Sequence, residues 1–336
     1  MNKLIVSSSP HIKTKNDTPR IMMDVVIALM PALIAGATIY GFRALLVVAV
    51  CVATSVLSEF LFNLIVKKEQ TIFDLSAVIT GLILGLSLRA DAPIWQCIIG
   101  SVFAIIVVKC LFGGLGANFA NPAATARVFL LICFSKTLAG GASNLVQFNS
   151  KLAEGVTKPL FQVNPVLVDP DLVAGATPLQ AIKDGVAVDE LPSLLDMLFG
   201  FRGGAIGEAC IIAIVIGFVY LVIRKVINFE TPLIMVATVF LLYLIVTKDV
   251  NIALYQLLGG GLVFAAVYMA TDYVTTPITR TGKMIFALGC GLITFLIREY
   301  GNYPEGASFA ILFMNILSPY IEKLTKRKAF GKRGNK

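Results

Sequence analysis

The chain has 336 residues, of which 57% are hydrophobic and only 14% charged, against about 25% charged in a typical soluble domain. So few charges cannot coat a soluble globule of this size, which excludes an ordinary water-soluble domain and makes lipid the solvent. The net charge of +8 has no nucleic-acid-binding motif beside it, so the basic excess reads as a membrane-surface signal and nucleic acid is not an expected partner.

The first 20 residues are polar and basic with no apolar signal region, which predicts an N-terminus that stays in the cytoplasm. Ten apolar stretches follow, at 22–40, 43–66, 73–89, 93–112 and 123–141, then at 205–223, 231–247, 250–270, 283–299 and 306–323. Each approaches the roughly 20 residues that cross about 30 Å of hydrocarbon as a helix, and a helix satisfies its own backbone donors and acceptors there. Ten crossings put both termini on one side. The inner loops then carry Lys67 and Lys68, Arg224 and Lys225, and Arg280 and Lys283. The outer loops carry single residues, Arg43, Arg89, Lys248 and Arg298, and the chain closes on a basic tail from Lys323 to Lys336. This alternation obeys the positive-inside rule. The six cysteines form no C-x-x-C pair and lie in apolar stretches, as small buried hydrophobes do. His11 takes no role.

One connection is long. Residues 142–204 are polar and fall on the outer side, with apolar patches at Ala174–Leu179 and Leu194–Phe201 that predict a small ordered cap. Cutting the chain there leaves five spans on either side. Val107–Val128 and Leu296–Leu312 each pass from a basic residue through a Gly/Asn/Pro-rich break into a helix start rich in small residues. Gly81–Asp91 and Gly261–Asp272 each close a Gly-rich apolar segment on an acid. An odd number of spans per repeat turns the second copy upside down, the pattern of membrane proteins that hold a ligand between inverted repeats. The expected fold is therefore an all-α membrane protein of about ten transmembrane helices in two inverted five-helix repeats, 1–141 and 205–336, with the extracytoplasmic loop 142–204 between them.

The sharpest local motif is Asp171-Leu-Val-Ala-Gly-Ala-Thr177-Pro178-Leu179. Small residues before the threonine leave its hydroxyl open to a large partner, and no neighbouring His or Lys could activate it as a nucleophile. Thr177 thus reads as an acceptor of modification, or as an ordinary cap or loop threonine. Asn121-Pro122 reads as a helix start, with Asn as the cap and Pro in the first turn. Acids in or beside spans, Asp24, Glu59, Asp74 and Glu208, are costly in hydrocarbon unless they face protein or water.

The segment around Thr177 resembles the D-x-x-S/A-G-A-T flavinylation signature. Further motifs follow in order: FGGLGANFANPAATAR at 112–127, GGAIGEAC at 203–210, ATDYVTTPITRTG at 270–282 and REYGNYPEGASFAILFMNILSP at 298–319. Together they resemble the family shared by the D subunit of the Rnf complex and the B subunit of the Na+-translocating NADH:quinone reductase. Length and the short N-terminal arm favour the former. Ala174 stands where serine is common, and Tyr273 where proline is frequent. The resemblance implies FMN joined to Thr177 by a phosphoester, with Asp171, Gly175 and Ala176 completing the signature, and a flavin transferase as maturation partner. It also implies a non-covalent riboflavin near the cytoplasmic side at Asn118, Asn121 and Asp272, whose amides and carboxylate can read a flavin by hydrogen bonds. The chain has neither a G-x-G-x-x-G nucleotide motif nor an iron–sulfur cysteine framework. The implied role is an electron-carrying subunit of a redox-driven ion-translocating complex in a bacterial or archaeal cell membrane. Other subunits would supply the ferredoxin and NAD+ sites. Glu59 and Asp272 are the candidate ion-path residues; no catalytic residue and no metal site are expected. The rival readings are the B subunit of the quinone reductase itself and a cofactor-free channel or transporter.

Overall fold

The computed structural model describes residues 17–135, 178–183, 191–200, 202–301, 303 and 305–326. Every regular element among them is helical. The first half contains α1 (Thr18–Tyr40), α2 (Phe42–Val66), α3 (Ser76–Ser87), α4 (Ile94–Val102) and α5 (Pro122–Cys133). Two short helices follow, α6 (Pro178–Lys183) and α7 (Leu194–Phe199). The second half contains α8 (Ile211–Ile223), α9 (Glu230–Thr247), α10 (Val250–Leu258), α11 (Leu262–Phe264), α12 (Arg280–Tyr300) and α13 (Ala307–Thr325). Two helices continue directly into wider π turns: α4 into Phe103–Cys110 and α11 into Ala265–Met269. Ile72–Asp74 and Ile206–Glu208 form single 3₁₀ turns.

Four helices, α1, α2, α9 and α12, are by themselves long and apolar enough to cross a membrane. The α10–α11 pair becomes a fifth candidate if its 59° bend is taken within one span. Among the described residues the protein is thus all-helical, with membrane-spanning helices, but several apolar stretches give helices shorter than the sequence predicts. Helix α3 has 12 residues where 73–89 was expected; α5 also has 12, and the stretch expected at 123–141 lies outside the described residues beyond 135. At 1.5 Å per residue such helices reach only about 18 Å. The stretch expected at 205–223 begins as a 3₁₀ turn and becomes α-helical only at Ile211.

Local chemistry explains the boundaries. Gly41, at φ 76°, ends α1 and starts α2 in one step. Asn121 caps α5 by accepting from the Ala123 and Ala124 N–H groups at 3.0 and 3.1 Å, with Pro122 in the first turn, as its sequence predicts. Small residues let the helices approach: a Cβ on Gly81 of α3 would lie 2.7 Å from Val52 Cα of α2, and one on Gly85 2.9 Å from Val48 Cα. Close backbone contact of this kind is how helices associate where lipid removes the hydrophobic driving force.

One core runs through both halves, from Leu29, Val47 and Leu84 to Leu262, Phe264 and Phe286. Ile65, Ile223 and Ile245 instead face outward, at 76%, 72% and 69% exposure, as lipid-facing residues do. Four cysteines, Cys51, Cys97, Cys110 and Cys290, are buried as expected; Cys133, in the last turn of α5, is exposed.

Long-range contacts define two ends of the bundle. At the proximal end, where α1 starts, Asp24 takes a bidentate pair from Arg224 just past α8, and the Ile278 N–H donates to Glu322 of α13. At the distal end the Ile206 N–H donates to the Leu88 carbonyl at 3.0 Å and the Tyr40 hydroxyl to the Arg202 carbonyl at 3.1 Å. The small cap predicted in the long loop is present in its described parts. Leu191, Met197, Ile211, Tyr255 and Leu258 form a separate small core there, with Ala181, Ile182 and Leu194 packed against it.

Candidate functional site

At the proximal end two π turns lead into two irregular loops. In the first, the Leu111 N–H reaches back five residues to the Ile106 carbonyl at 3.0 Å; in the second, the Ala270 N–H reaches the Ala265 carbonyl at 2.8 Å. Such turns recur at functional sites because one extra residue per turn re-aims the side chains beyond it. Here they lead into segments 111–121 and 270–279, which meet: Asn121 Nδ2 donates to the Met269 carbonyl, 148 residues away, at 3.2 Å.

Between these loops lies an open-mouthed cavity with about 780 Å³ of free space, solvent at its mouth included. Its walls are largely apolar, with Ile79, Ile83, Leu221 and Val267 prominent. Its polar lining includes Ser76, Lys109, Asn118, Asn121 and Asp272. The three residues implicated by sequence resemblance therefore lie on one wall system. Asn118 is 8% and Asn121 4% exposed. Asn121 spends its amide on the α5 cap and on Met269, so it shapes the cavity, whereas Asn118 donates to the Ala120 carbonyl at 3.2 Å. Asp272 accepts from the Val274 N–H at 3.3 Å and the Thr275 hydroxyl at 3.1 Å. Burial pushes the Asp272 carboxyl above its ordinary range, against the lowering effect of those two bonds.

Glu59 does not line this cavity. It lies behind the wall, 2% exposed, with both carboxylate oxygens 2.9 Å from Lys109 Nζ. Lys109 also donates to Ser76 Oγ at 2.5 Å, and Ser76 donates in turn to Asp74 Oδ1 at 2.5 Å. Thr71 donates to Glu59 at 2.6 Å.

The distal end holds a second buried charge cluster. Arg127 of α5 pairs with Glu208 at 2.7 Å and with Glu305, which also accepts from the Gly261 N–H in the α10–α11 break. Arg298 of α12 donates to the Gln256 and Gly259 carbonyls, and Arg202 to the Glu208 carbonyl at 2.8 Å. Thr177, Asp171, Gly175 and Ala176 lie outside the described residues. The segment that follows them, α6, is seated at this end: Leu179 is 3% exposed against Gly259 and Gly260, and Lys183 donates to the Gly301 carbonyl.

Acids drew the sequence reading, which passed over their partners Lys109 and Arg127 and the carboxylate of Glu305. The available signal was a basic residue inside an apolar span, costly unless paired. Among the described residues no group of His, Cys, Asp and Glu could hold a metal ion.

Helical spans, a broken helix and a polar-lined cavity at one end define the class: a multi-pass helical membrane protein with a cavity inside its bundle. Across residues 5–331 the chain matches the model of the NQR2, RnfD, RnfE family, and it belongs to that family. It is 42% identical, over 98% of its own length and 95% of the relative's, to the D subunit of the Na+-translocating ferredoxin:NAD+ oxidoreductase complex of Acetobacterium woodii. It is 35% identical, over 99% and 97%, to the D subunit of the proton-translocating ferredoxin:NAD+ oxidoreductase complex of Clostridium ljungdahlii. A third relative, the D subunit of the ion-translocating oxidoreductase complex of Stutzerimonas stutzeri, is 34% identical over 95% and 93%.

Proposed function

We propose that this chain is the D subunit of an ion-translocating ferredoxin:NAD+ oxidoreductase complex of the Rnf type, and that within it the chain carries flavin and passes electrons across the bilayer. Other subunits of the complex would hold the ferredoxin and NAD+ sites. The observation that carries the reading is the meeting of Asn118, Asn121 and Asp272 on one cavity, in a chain of this family. The relatives' names divide between Na+ and protons, so likeness leaves the coupling ion to measurement.

The cavity residues fit a riboflavin. Asn118 and Asp272 offer an amide and a carboxyl to polar ring edges and hydroxyls, Asn121 holds the wall, and Ile79, Ile83 and Val267 exclude water from an apolar ring face. When bound there, a flavin would supply one- and two-electron redox chemistry, while the protein supplies position and field. The second flavin would be FMN, joined by a flavin transferase to the hydroxyl of Thr177. The seating of α6 at the distal end supports an attachment point on the opposite side of the bundle from the cavity.

In this reading the chain crosses a cell membrane ten times as two inverted repeats, with the proximal end and both termini cytoplasmic. The two-and-one alternation of basic residues in successive short loops supports it, as do the four helices, or five with the bent α10–α11 pair, that are long and apolar enough to cross. Short helices would finish their crossings in irregular backbone buried by protein, the only setting in which hydrocarbon depth tolerates it.

The test is direct. Acid extraction of the purified protein should release free riboflavin, and a denaturing gel of protein co-expressed with a flavin transferase should show a fluorescent band that Thr177→Ala removes. Absence of both flavins from wild type would refute the reading.

A further inference from the structure

Neither hydrogen bonding to a ligand nor helix formation accounts for Lys109 in the cavity wall. It sits inside an apolar stretch, 2% exposed, and it lines the cavity while its partner Glu59 does not. An ammonium has three donors. All are committed: to the two Glu59 oxygens at 2.9 Å each and to Ser76 Oγ at 2.5 Å. Three elements hold the group in place, since Lys109 lies in the π turn after α4, Glu59 in α2 and Ser76 at the start of α3. A lysine so saturated makes a poor hydrogen-bond donor to a ligand, but its charge is rigidly oriented. The pair is a buried dipole with its positive end toward the cavity and its negative end behind the wall. Among the side chains lining the cavity, Lys109 supplies the amine and Asp272 the carboxyl, and burial disfavours the charged form of Asp272.

We propose that the Lys109–Glu59 pair is an electrostatic positioning device that biases the cavity toward the electron-rich form of its ligand. This rests on the reading of the cavity as a flavin site, and it adds the residue that sets how readily the flavin there accepts electrons. The mechanism needs no proton or group transfer from Lys109. An oriented charge in a dry wall stabilises added negative charge without reorganising, and in such a setting its field is far less screened than in water.

The experiment is a reductive titration of the detergent-purified full chain in a Thr177→Ala background, so that non-covalent flavin alone is read, with extraction to confirm that riboflavin is present. Lys109→Met/Glu59→Gln removes the dipole while leaving no unpaired buried charge. It should lower the ratio of reduced to oxidised flavin at a fixed solution potential about tenfold, a shift of about 59 mV for one electron. Glu59→Gln alone leaves the ammonium without its counter-charge and should raise the ratio. Lys109→Arg should stay near wild type. A purely structural pair would change flavin content and stability but would not move the potential in opposite directions in these variants. Riboflavin bound with an unchanged ratio in both the double and the single variant would overturn this inference alone. A wild-type cavity that yields no riboflavin would overturn the flavin reading and this inference with it.

Discussion

Loss of Arg127 should damage the fold. The residue is 6% exposed and joins three parts of the chain: α5, the 3₁₀ turn at Glu208 and the loop before α13 that carries Glu305. Arg127→Met strands two carboxylates, and removing one partner of a buried ion pair costs about 3–5 kcal/mol. The two are not equal. Glu305 keeps the Gly261 N–H and is 23% exposed at the side chain, whereas Glu208 is 4% exposed and loses its ion pair. Most of the loss should therefore sit on Glu208. Restoring neutrality by Glu208→Gln in the Arg127→Met background should recover the larger part of the stability, and Glu305→Gln in the same background the smaller part. The assay is thermal unfolding in detergent, read by a thiol-reactive dye that reaches the buried Cys51, Cys97 and Cys290 only on unfolding. With about 2 °C per kcal/mol for a chain of this size, Arg127→Met should lower Tm by about 6–10 °C. Arg127→Lys should recover part of that, since an ammonium cannot fork between two carboxylates as a guanidinium does. An unchanged Tm in Arg127→Met, or equal recovery by the two glutamine substitutions, would refute this account of the cluster.

Other expectations concern the proximal end and the packing of α3. Asn121→Ala removes the α5 cap, worth about 1 kcal/mol, and the bond to Met269, so Tm should fall and, on the proposed reading of the cavity, extractable riboflavin with it; Asn121→Asp should keep the cap and restore most of the Tm. The Asp272 carboxyl holds its proton more tightly in the folded protein than in the unfolded chain. Its contribution to stability is therefore full below about pH 3.9, the ordinary Asp value, and is lost as pH rises through the raised native value. Thermal unfolding at several acidic pH values should show this slope, and Asp272→Asn should flatten it. Gly81→Val would drive side-chain atoms into the α2 backbone from a Cβ already 2.7 Å from Val52 Cα, and should cost at least about 1–3 kcal/mol, measured by the same dye assay.

Residue order alone made lipid the solvent, helix the secondary structure and Asn121-Pro122 a capped helix start, and it placed a small ordered cap in the long loop. Each rests on short-range physics: composition, run length and the donors of a first helical turn. The interruption of the stretch 250–270 was harder to read. Gly259, Gly260 and Gly261 announce flexibility, but the break is held by what reaches them from elsewhere, the Glu305 carboxylate and the Arg298 guanidinium. Helix α3 at its end and helix α8 at its start fall short of their apolar stretches for a related reason. Their apolar stretches continue, yet partners such as the Leu88 carbonyl, which binds the Ile206 N–H, satisfy the backbone outside any helix.

The charged side chains divide the same way. Hydropathy marks Lys109, Arg127, Glu59 and Glu208 as costly wherever they stand in an apolar run, and that much is a property of the linear chain. Which cation meets which carboxylate is decided only when α2 lies against α3 and the π turn after α4, and when α5 meets the loop before α13. A buried charge gains its partner across space, from residues as far apart as Arg127 and Glu305, and no periodicity in the sequence records that meeting. The cavity is of this kind too. Asn118 and Asp272 are loop residues in the linear chain, and the fold brings their loops together through the bond from Asn121 to Met269.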